Sequence, residues 1–446
     1  MKKSFASLIS LGLLFSIVLS ACGLNSRQDD PRPNFLIIIS DDQRFDTMQF
    51  MPKTQELIFD QGVTFSHGYI TTPLCCPSRS SIFTGMYAHN HGVLDNGMKL
   101  NFETFVNALH KNGYYTGLVG KYLNSWAGEP RPEFDYWVSY AHGETRYYNP
   151  NLNVNGTWKR HQGQYVTDVL GSYAQEFLNN AAKKNQPYAL IIAFNAPHDP
   201  VTPADEDKGK LKDLPPYRPP SFNEADMSDK PQWMAQKPLL NETEIATIDT
   251  FRRNQDLTML SLDRAIDKIM GTLDGTKTLD KTMIFYISDN GMHYGEHRLD
   301  SKNTYYEEAV KVPFAIRYPP LIPKPYIDDR VVANIDIAPT IYELAGLPIP
   351  KNVDGLPLTG LFKPNITWRE GVLLEGWPPR GVYTAIRTEQ YLYAETVDDV
   401  AELYDVNLDP YELTNLAKDS AHQEIKDHLK ALMDQTIKNS DKPITK

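Results

Sequence analysis

The stretch NFLIIIS at residues 34–40, followed directly by Asp41 and Asp42, decides the fold of this 446-residue chain. A continuous apolar run rich in β-branched residues is typical of a strand buried on both faces of a parallel sheet. Three later runs share this design and also end in polar residues: Tyr115–Gly120 before Lys121, Tyr188–Phe194 before Asn195 and His198, and Met283–Ser288 before Asp289 and Asn290.

The segments between these runs carry helical patterns. Apolar residues at helical spacing from Leu257 to Leu273 predict a long helix, and residues 54–59 and 105–110 predict shorter ones. Strands that alternate with helices predict an α/β fold with a large wound, mostly parallel sheet flanked by helices over residues 33–363. Ligands bind beyond the carboxyl ends of such strands. One polar residue after a strand is commonly a turn or cap, but four polar strand ends together predict a functional site.

The second half of the chain has two features of domain organisation. Residues 199–250 are rich in Pro, Asp and Lys and predict a long excursion from the sheet. A Trp/Pro-rich stretch at residues 377–379 predicts a boundary. Strands predicted at 382–386 and 391–394 and a closing helix at 423–437 then favour a smaller C-terminal α+β subdomain over residues 364–446.

The N-terminus has the pattern of an export signal. Two lysines at positions 2 and 3 precede an apolar run, and residues 19–22 read Leu-Ser-Ala-Cys. This tetrapeptide resembles a bacterial lipoprotein signal. The resemblance implies a signal peptide at residues 1–21, lipidation of Cys22, an anchor linker at 22–32, and an exported protein held at a bacterial membrane, periplasmic or at the cell surface. An ordinary secretory signal is the alternative.

The composition limits the function classes. The net charge is −11 and no basic cluster is present, which argues against nucleic acid as a partner. Beyond Cys22 the chain has only the adjacent cysteines Cys75 and Cys76, which cannot join distant segments. A thiol at this position is therefore a candidate for chemistry.

The sequence around Cys75 supports that interpretation. Residues 73–85 read PLCCPSRSSIFTG, with Pro77 where a first helical turn would begin and Arg79 one turn after Cys75. A helix N-terminus and a fixed cation stabilise an anionic nucleophile or a bound oxyanion. The alternative is a buried cysteine pair that packs the start of a helix.

This segment is similar to the signature of the sulfatase family, Cys-x-Pro-x-Arg followed by a short apolar stretch and Gly. The resemblance implies that a maturation enzyme, the formylglycine-generating enzyme, converts Cys75 and not Cys76 to formylglycine. It further implies a metal site formed by the formylglycine oxygen with Asp41, Asp42, Asp289 and Asn290. Hard oxygen ligands suit Ca²⁺, or Mg²⁺ less well, and the absence of thiolate-rich or paired-histidine spacing argues against zinc there.

The resemblance assigns further roles. Residues 113–121, GYYTGLVGK, look like the second sulfatase signature, in which Lys121 contacts sulfate. Lys302 would be a second sulfate-binding lysine, and His198 would protonate the departing alcohol. One position departs from the pattern: Leu123 stands where many sulfatases have the histidine that deprotonates the formylglycine hydrate. Three other histidines could replace that base or be structural: His89, His91 and His293.

The motif variants are most like the branch that contains N-acetylglucosamine-6-sulfatases and heparan endosulfatases, which implies a sulfated sugar or polysaccharide as substrate. Five residues are candidates for binding saccharide, with a structural role as the alternative: Trp126, Arg146, Asn149, Trp233 and Trp377. Two rival functions stay open. One is a phosphate or phosphonate monoester hydrolase of the same superfamily, and the other is a lipoprotein that binds glycans without catalysis.

Overall fold

The apolar run at 34–40 forms the central strand β1, in which every residue is buried. The structure, a computed structural model, describes residues 30–363, 366–378 and 381–440. The predicted signal peptide and Cys22 lie outside these residues. In the described part of the chain, no helix is long and apolar enough to span a bilayer.

The strands belong to one large sheet, one two-stranded pair and one small antiparallel sheet. In chain order they are β1 (Asn34–Ser40), β2 (Val63–Phe65), β3 (Gly68–Tyr69), β4 (Tyr115–Gly120), β5 (Tyr136–Ser139), β6 (Asn151–Val154), β7 (Thr157–Arg160), β8 (Tyr188–Ala193), β9 (Thr282–Ser288), β10 (Phe314–Arg317), β11 (Tyr326–Asp328), β12 (Val332–Ala333), β13 (Gly371–Gly376), β14 (Tyr383–Thr388), β15 (Tyr391–Thr396) and β16 (Ala401–Asp405).

The α-helices pack on both faces of the large sheet and on the small one. In chain order they are α1 (Pro52–Leu57), α2 (Cys75–Thr84), α3 (Ala88–His91), α4 (Phe105–Lys111), α5 (Val166–Ala181), α6 (Gln232–Ala235), α7 (Glu242–Gly275), α8 (Glu307–Val310), α9 (Ile337–Leu344) and α10 (Gln423–Ser440).

The large sheet has ten strands in the order β11-β2-β10-β9-β1-β8-β4-β5-β6-β7. Its centre, from β9 to β5, is parallel, and antiparallel strands lie towards both edges. The mostly parallel α/β fold predicted from the sequence is confirmed.

Alternation along β1 divides the core into two layers. Phe35, Ile37 and Ile39 pack into the layer that contains residues of α2, α4 and α9, and Leu36 and Ile38 pack into the layer of α5 and α7. Successive strand side chains point to opposite faces, so one apolar run supplies both layers. This is why the run has no polar residue to mark a solvent face.

The long helix differs from its prediction. Only Leu257–Leu273 was predicted, but α7 begins at Glu242, inside the predicted excursion. The side chain of Asn241 accepts hydrogen bonds from the N–H groups of Thr243 and Glu244, and the carboxylate of Glu244 accepts one from the N–H of Asn241. This capping box starts the helix although its first turns are largely exposed.

The small sheet has the order β13-β14-β15-β16, and α10 packs against it. Two of its strands and the closing helix match their predictions closely, whereas β13 and β16 were not predicted. Trp377 is not at a boundary, because it follows β13, whose last residue Gly376 pairs with Tyr383 of β14. Pro379 lies outside the described residues.

Candidate active site

The polar residues predicted at the strand ends meet at one edge of the large sheet. Register brings them together, because Ser40 of β1 lies opposite Ser288 of β9. The N–H of Asp289 donates to the carbonyl of Ser40 at 3.0 Å, and the N–H of Lys121 donates to the carbonyl of Ala193 at 2.9 Å. The four neighbouring strands β9, β1, β8 and β4 therefore bring the residues at their carboxyl ends to one buried cluster.

The helix α2 brings Cys75 to this cluster. Cys75 is its first residue, and the Sγ of Cys75 lies 3.8 Å from Oδ1 of Asp41 and 3.0 Å from Nζ of Lys302. Cys76 faces elsewhere, with its Sγ 3.8 Å from the carbonyl of Met98, and burial raises the pKa of its thiol. Only the first cysteine of the pair is directed at the charged groups.

Two buried cations hold the carboxylates of Asp289 and Asp41 in place. Nε of Arg79 donates to Asp289 at 2.8 Å, and Nζ of Lys121 donates to Asp41 at 2.7 Å. Arg79, Lys121, Asp41 and Asp289 are all completely buried. Buried charges of this kind persist only where they are paired and hydrogen-bonded. The network therefore fixes the side chains around Cys75.

The carboxylate of Asp42 is held from two directions. Lys302 donates to its Oδ1, and Nδ2 of Asn290 donates to the same oxygen at 2.7 Å. The backbone of Asp42 has a φ of 68°, a conformation that a non-glycine residue adopts at a cost, and its N–H donates to Asp289 at 3.1 Å. This turn aims the carboxylate back towards Cys75 instead of along the strand.

The cluster fits a hard divalent cation. Ligand atoms of Asp41, Asp42, Cys75 and His198 all lie within 4.8 Å of one another. Oδ1 of Asn290 is buried with no hydrogen-bond partner, because the amide nitrogen makes the contacts of this side chain. Burial, and then the neighbouring Asp41, raise the pKa of Asp289. Carboxylates and an unpaired amide oxygen are ligand types that Ca²⁺ takes, although Asp289 is not among the four residues whose ligand atoms lie together.

His198 is placed to act as an acid. Its Nδ1 donates to the carbonyl of Asp199 at 2.6 Å, and its Nε2 lies 3.9 Å from Asp42. Burial disfavours the charged ring, but the carboxylates of Asp41 and Asp42 outweigh it and raise the pKa of His198 to about 10. The carboxylates of Asp41 and Asp42 therefore favour the protonated form of the imidazole.

The chain matches the family model described as Sulfatase over residues 33–347, and a second model, N-sulphoglucosamine sulphohydrolase C-terminal, over residues 295–439. The first match covers most of the chain. This chain belongs to the sulfatase family. It is thereby a sulfuric ester hydrolase.

Relatives of this sulfatase include the N-acetylglucosamine-6-sulfatase of Homo sapiens, 32% identical over 87% of this chain and 81% of that protein. The putative extracellular sulfatase Sulf-1 homolog of Caenorhabditis elegans is 34% identical over 78% of this chain, and the match spans only 53% of that longer protein.

Solved structures share the fold. One, of a protein in complex with its substrate D-glucosamine-2-N,6-O-disulfate, has a TM-score of 0.82 at 23% identity and covers 93% of this chain and 99% of that one. The phosphonate monoester hydrolase of Agrobacterium radiobacter has a TM-score of 0.70 at 20% identity and covers 91% and 96% of the two chains.

The histidines considered as replacements for the missing base make other contacts in the sulfatase, although His293 also lines the cavity beside His198. His89 contacts Glu375 through Nδ1 at 2.6 Å, and His293 contacts Thr304 through Nε2 at 2.8 Å. Nδ1 of His91 accepts the N–H of Val93 at 3.0 Å, so its Nε2 carries the proton and donates to Ser81. Leu123 packs in the core. A ring nitrogen of His198, by contrast, lies within 4.8 Å of Sγ of Cys75.

A cavity of about 350 Å³ opens beside the cluster. Asp42, His198 and Lys302 line its inner end, and Phe251 and Asp300 are among the residues that line the rest. The sequence analysis did not identify Phe251 or Asp300 as site residues. For Asp300, its position two residues before Lys302 could have indicated that it lies near the site. None of the five predicted saccharide-binding residues lines this cavity. Trp126 and Trp233 pack against core clusters instead.

Proposed function

We propose that this sulfatase hydrolyses the sulfate ester of a sulfated amino sugar or of a polysaccharide that contains it, with Cys75 converted to formylglycine and with Ca²⁺ as the metal ion. The observation that carries the proposal is the position of Cys75 Sγ, 3.0 Å from Nζ of Lys302 and 3.8 Å from Asp41, in a largely buried charged cluster. The named relatives support the sugar: the human protein is an N-acetylglucosamine-6-sulfatase.

The metal ion would be held by the carboxylates of Asp41, Asp42 and Asp289, the amide oxygen of Asn290 and the oxygen of residue 75. It would polarise the sulfate oxygens as a Lewis acid. Mg²⁺ fits less well, because it demands near-ideal octahedral geometry and these ligands come from two adjacent strand ends and a helix. The hydrated aldehyde at position 75 would supply two hydroxyls on one carbon, one to attack sulfur and one to expel sulfate.

The remaining chemistry falls to the side chains around Cys75. Lys121 and Lys302 would bind sulfate oxygens, and Arg79 holds Asp289 and contacts the carbonyl of Lys121 at 3.1 Å. Burial disfavours the charge of Lys302, but Asp42 outweighs it and raises the pKa of this lysine well above its usual value. Both lysines therefore stay cationic and stabilise the charge that develops on the sulfate.

His198 would move the proton in both halves of the reaction. Its Nε2 would carry the proton that the departing alcohol oxygen takes up. The same atom, then neutral, is in reach of residue 75 and accepts a proton when sulfate is expelled. This role does not require a histidine at position 123.

The test is the mass of the peptide spanning Cys75, from protein co-expressed with a formylglycine-generating enzyme, followed by rates on N-acetylglucosamine 6-sulfate and N-acetylglucosamine 6-phosphate. An aldehyde or hydrate at position 75 and a faster reaction of the sulfate support the proposal. A faster reaction of the phosphate favours a phosphate or phosphonate monoester hydrolase. An unmodified thiol, with a control sulfatase matured in the same cells, favours a glycan-binding lipoprotein.

We also propose export and lipid anchoring through Cys22, supported by the sequence of residues 1–22. Labelled palmitate and membrane fractionation check this. Wild type should take up the label and sediment with membranes, and Cys22→Ala should do neither. A membrane-bound, unlabelled wild type would argue for another form of attachment.

A further inference from the structure

A second cluster of possible metal ligands lies away from the strand ends. It consists of His297, Glu308 and Glu412, each offering one ligand atom, and these atoms lie within 4.8 Å of one another. The exposed fractions of the three residues are 0%, 5% and 1%. None of them belongs to the site around Cys75.

The histidine of this cluster has its tautomer fixed. Nδ1 of His297 lies 2.6 Å from Oε2 of Glu224, a carboxylate that accepts the Nδ1 proton. The lone pair of a neutral ring is then on Nε2, and this atom is buried without a hydrogen-bond partner. A carboxylate that orients a histidine in this way is characteristic of metal-binding histidines.

The two glutamates likewise have buried ligand atoms without hydrogen-bond partners. Oε2 of Glu308 and Oε1 of Glu412 are also buried without hydrogen-bond partners. The nearby arginines are engaged elsewhere, Arg44 with Glu296 at 2.7 Å and Arg387 with Glu307 at 2.8 Å. Nδ1 of His293 lies 4.0 Å from Oε2 of Glu308, which is beyond hydrogen-bonding distance. The three electron-rich atoms thus face one another without a hydrogen-bond donor in range, which is costly in a buried environment.

We propose that Nε2 of His297, Oε2 of Glu308 and Oε1 of Glu412 bind a structural Zn²⁺ ion. One imidazole and two carboxylates match the ligand types that zinc takes, and a water molecule can complete a tetrahedral site. Such an ion satisfies all three atoms at once. Burial, and then Glu296, raise the pKa of Glu308 to about 8, and the opposing effect of Arg44 is smaller.

The ion would connect the small antiparallel sheet to the segment that follows β9 of the large sheet. Glu412 follows the last strand of the small sheet, whereas His297 and Glu308 belong to the segment after β9. The carbonyl of Glu308 accepts the N–H of Met292 at 2.8 Å, two residues after Asn290. A Cβ on Gly291 would lie 2.0 Å from that carbonyl oxygen, so the contact is close. The zinc site therefore supports the loop that carries Asn290 and Lys302.

The experiment measures metal content and thermal melting of the full chain. Protein grown with added Zn²⁺ should hold about one zinc per chain, in the wild type and equally in Asp289→Asn, whose substitution lies in the calcium site. Glu412→Gln and Glu308→Gln keep the side-chain volume and should each lose at least nine tenths of the zinc. A zinc-selective chelator should lower the melting temperature of the wild type by roughly 5 °C, reversed by added Zn²⁺, and should leave both variants unchanged.

The opposing explanation is that Glu308 and Glu412 hold protons and share them with His297. In that case the wild type contains no zinc, chelation does not shift melting, and Glu412→Gln melts at or above the wild type. This result would overturn the proposal. Neither readout uses sulfatase activity, so failure of the zinc site and failure of the proposed function can be told apart.

Discussion

The Nζ of Lys302 lies 3.0 Å from the Sγ of Cys75 and also donates to Oδ1 of Asp42. One ammonium group therefore contacts both the predicted nucleophile and a predicted metal ligand. The lysine comes from the loop after β9 and the cysteine from the start of α2, so the contact depends on the whole sheet being correctly folded.

Replacing this lysine should affect catalysis far more than folding. In Lys302→Met the side chain keeps its length but loses the charge that stabilises the transition state, so kcat/KM on a sulfate ester should fall by about 10²–10³. Lys53→Met is the matched control, since Lys53 forms an exposed pair with Glu56 at 2.8 Å and should change kcat/KM by less than about twofold. Steady-state kinetics on folded protein decide this, and a Lys302 variant within threefold of wild type would remove the lysine from the catalytic group.

The two cysteines should respond in opposite ways to alanine. Cys75→Ala removes the side chain that we propose is converted to formylglycine, so it should abolish turnover with little change in melting. Cys76→Ala removes a buried thiol that faces Met98, so it should cost about 1 kcal/mol of stability and keep activity within about threefold. Turnover by Cys75→Ala, or its loss in a folded Cys76→Ala, would contradict the assignment.

His91 should make the protein less stable in acid. Burial first, and then His89, lower the pKa of His91 to about 3, whereas the unfolded chain has the ordinary value of 6.5. Between these values the unfolded state binds one more proton, so stability present above pH 6.5 is lost as the pH falls towards 3. The loss approaches about 1.4 kcal/mol per pH unit in the middle of that window.

His91→Gln should therefore flatten the pH dependence of the free energy of unfolding. Urea titrations at pH 7.5, 5.5 and 4.5 measure the free energy of unfolding at each pH. Below pH 6 this free energy should fall less steeply with pH in the variant, by the amount that corresponds to the uptake of about one proton. Some slope will remain, since burial also lowers the pKa of His293. Parallel curves for the two proteins would show that the imidazole of His91 does not titrate in this way.

The sequence predicted the centre of the fold because its strands are long apolar runs that are followed directly by charged residues, such as Asp41, Lys121 and Asp289. The sulfatase-like motifs also named residues that the structure gathers around Cys75, and their roles stay predictions. Neither β13 nor β16 was predicted, because β13 has glycine at both ends and β16 has only five residues, two of them acidic. Nor did the sequence predict the cavity residues Phe251 and Asp300, because their role depends on where α7 and a loop meet in space.

Asp300 should contribute to recognition of the sugar but not to cleavage of the ester. Its exposed carboxylate lines the cavity beside Lys302 and can accept hydrogen bonds from sugar hydroxyls. A hydrogen bond to a charged group contributes about 1.5–3 kcal/mol, so Asp300→Asn should raise KM for N-acetylglucosamine 6-sulfate by about 10-fold or more with kcat little changed. An aryl sulfate has no sugar hydroxyls to bind, and its KM should stay within about twofold of wild type.

Glu242→Gln, an exposed change in the first turn of α7, is the control and should alter neither kcat nor KM. An equal loss on both substrates would instead mean that Asp300 acts through Lys302, as a positioning residue for the reaction itself.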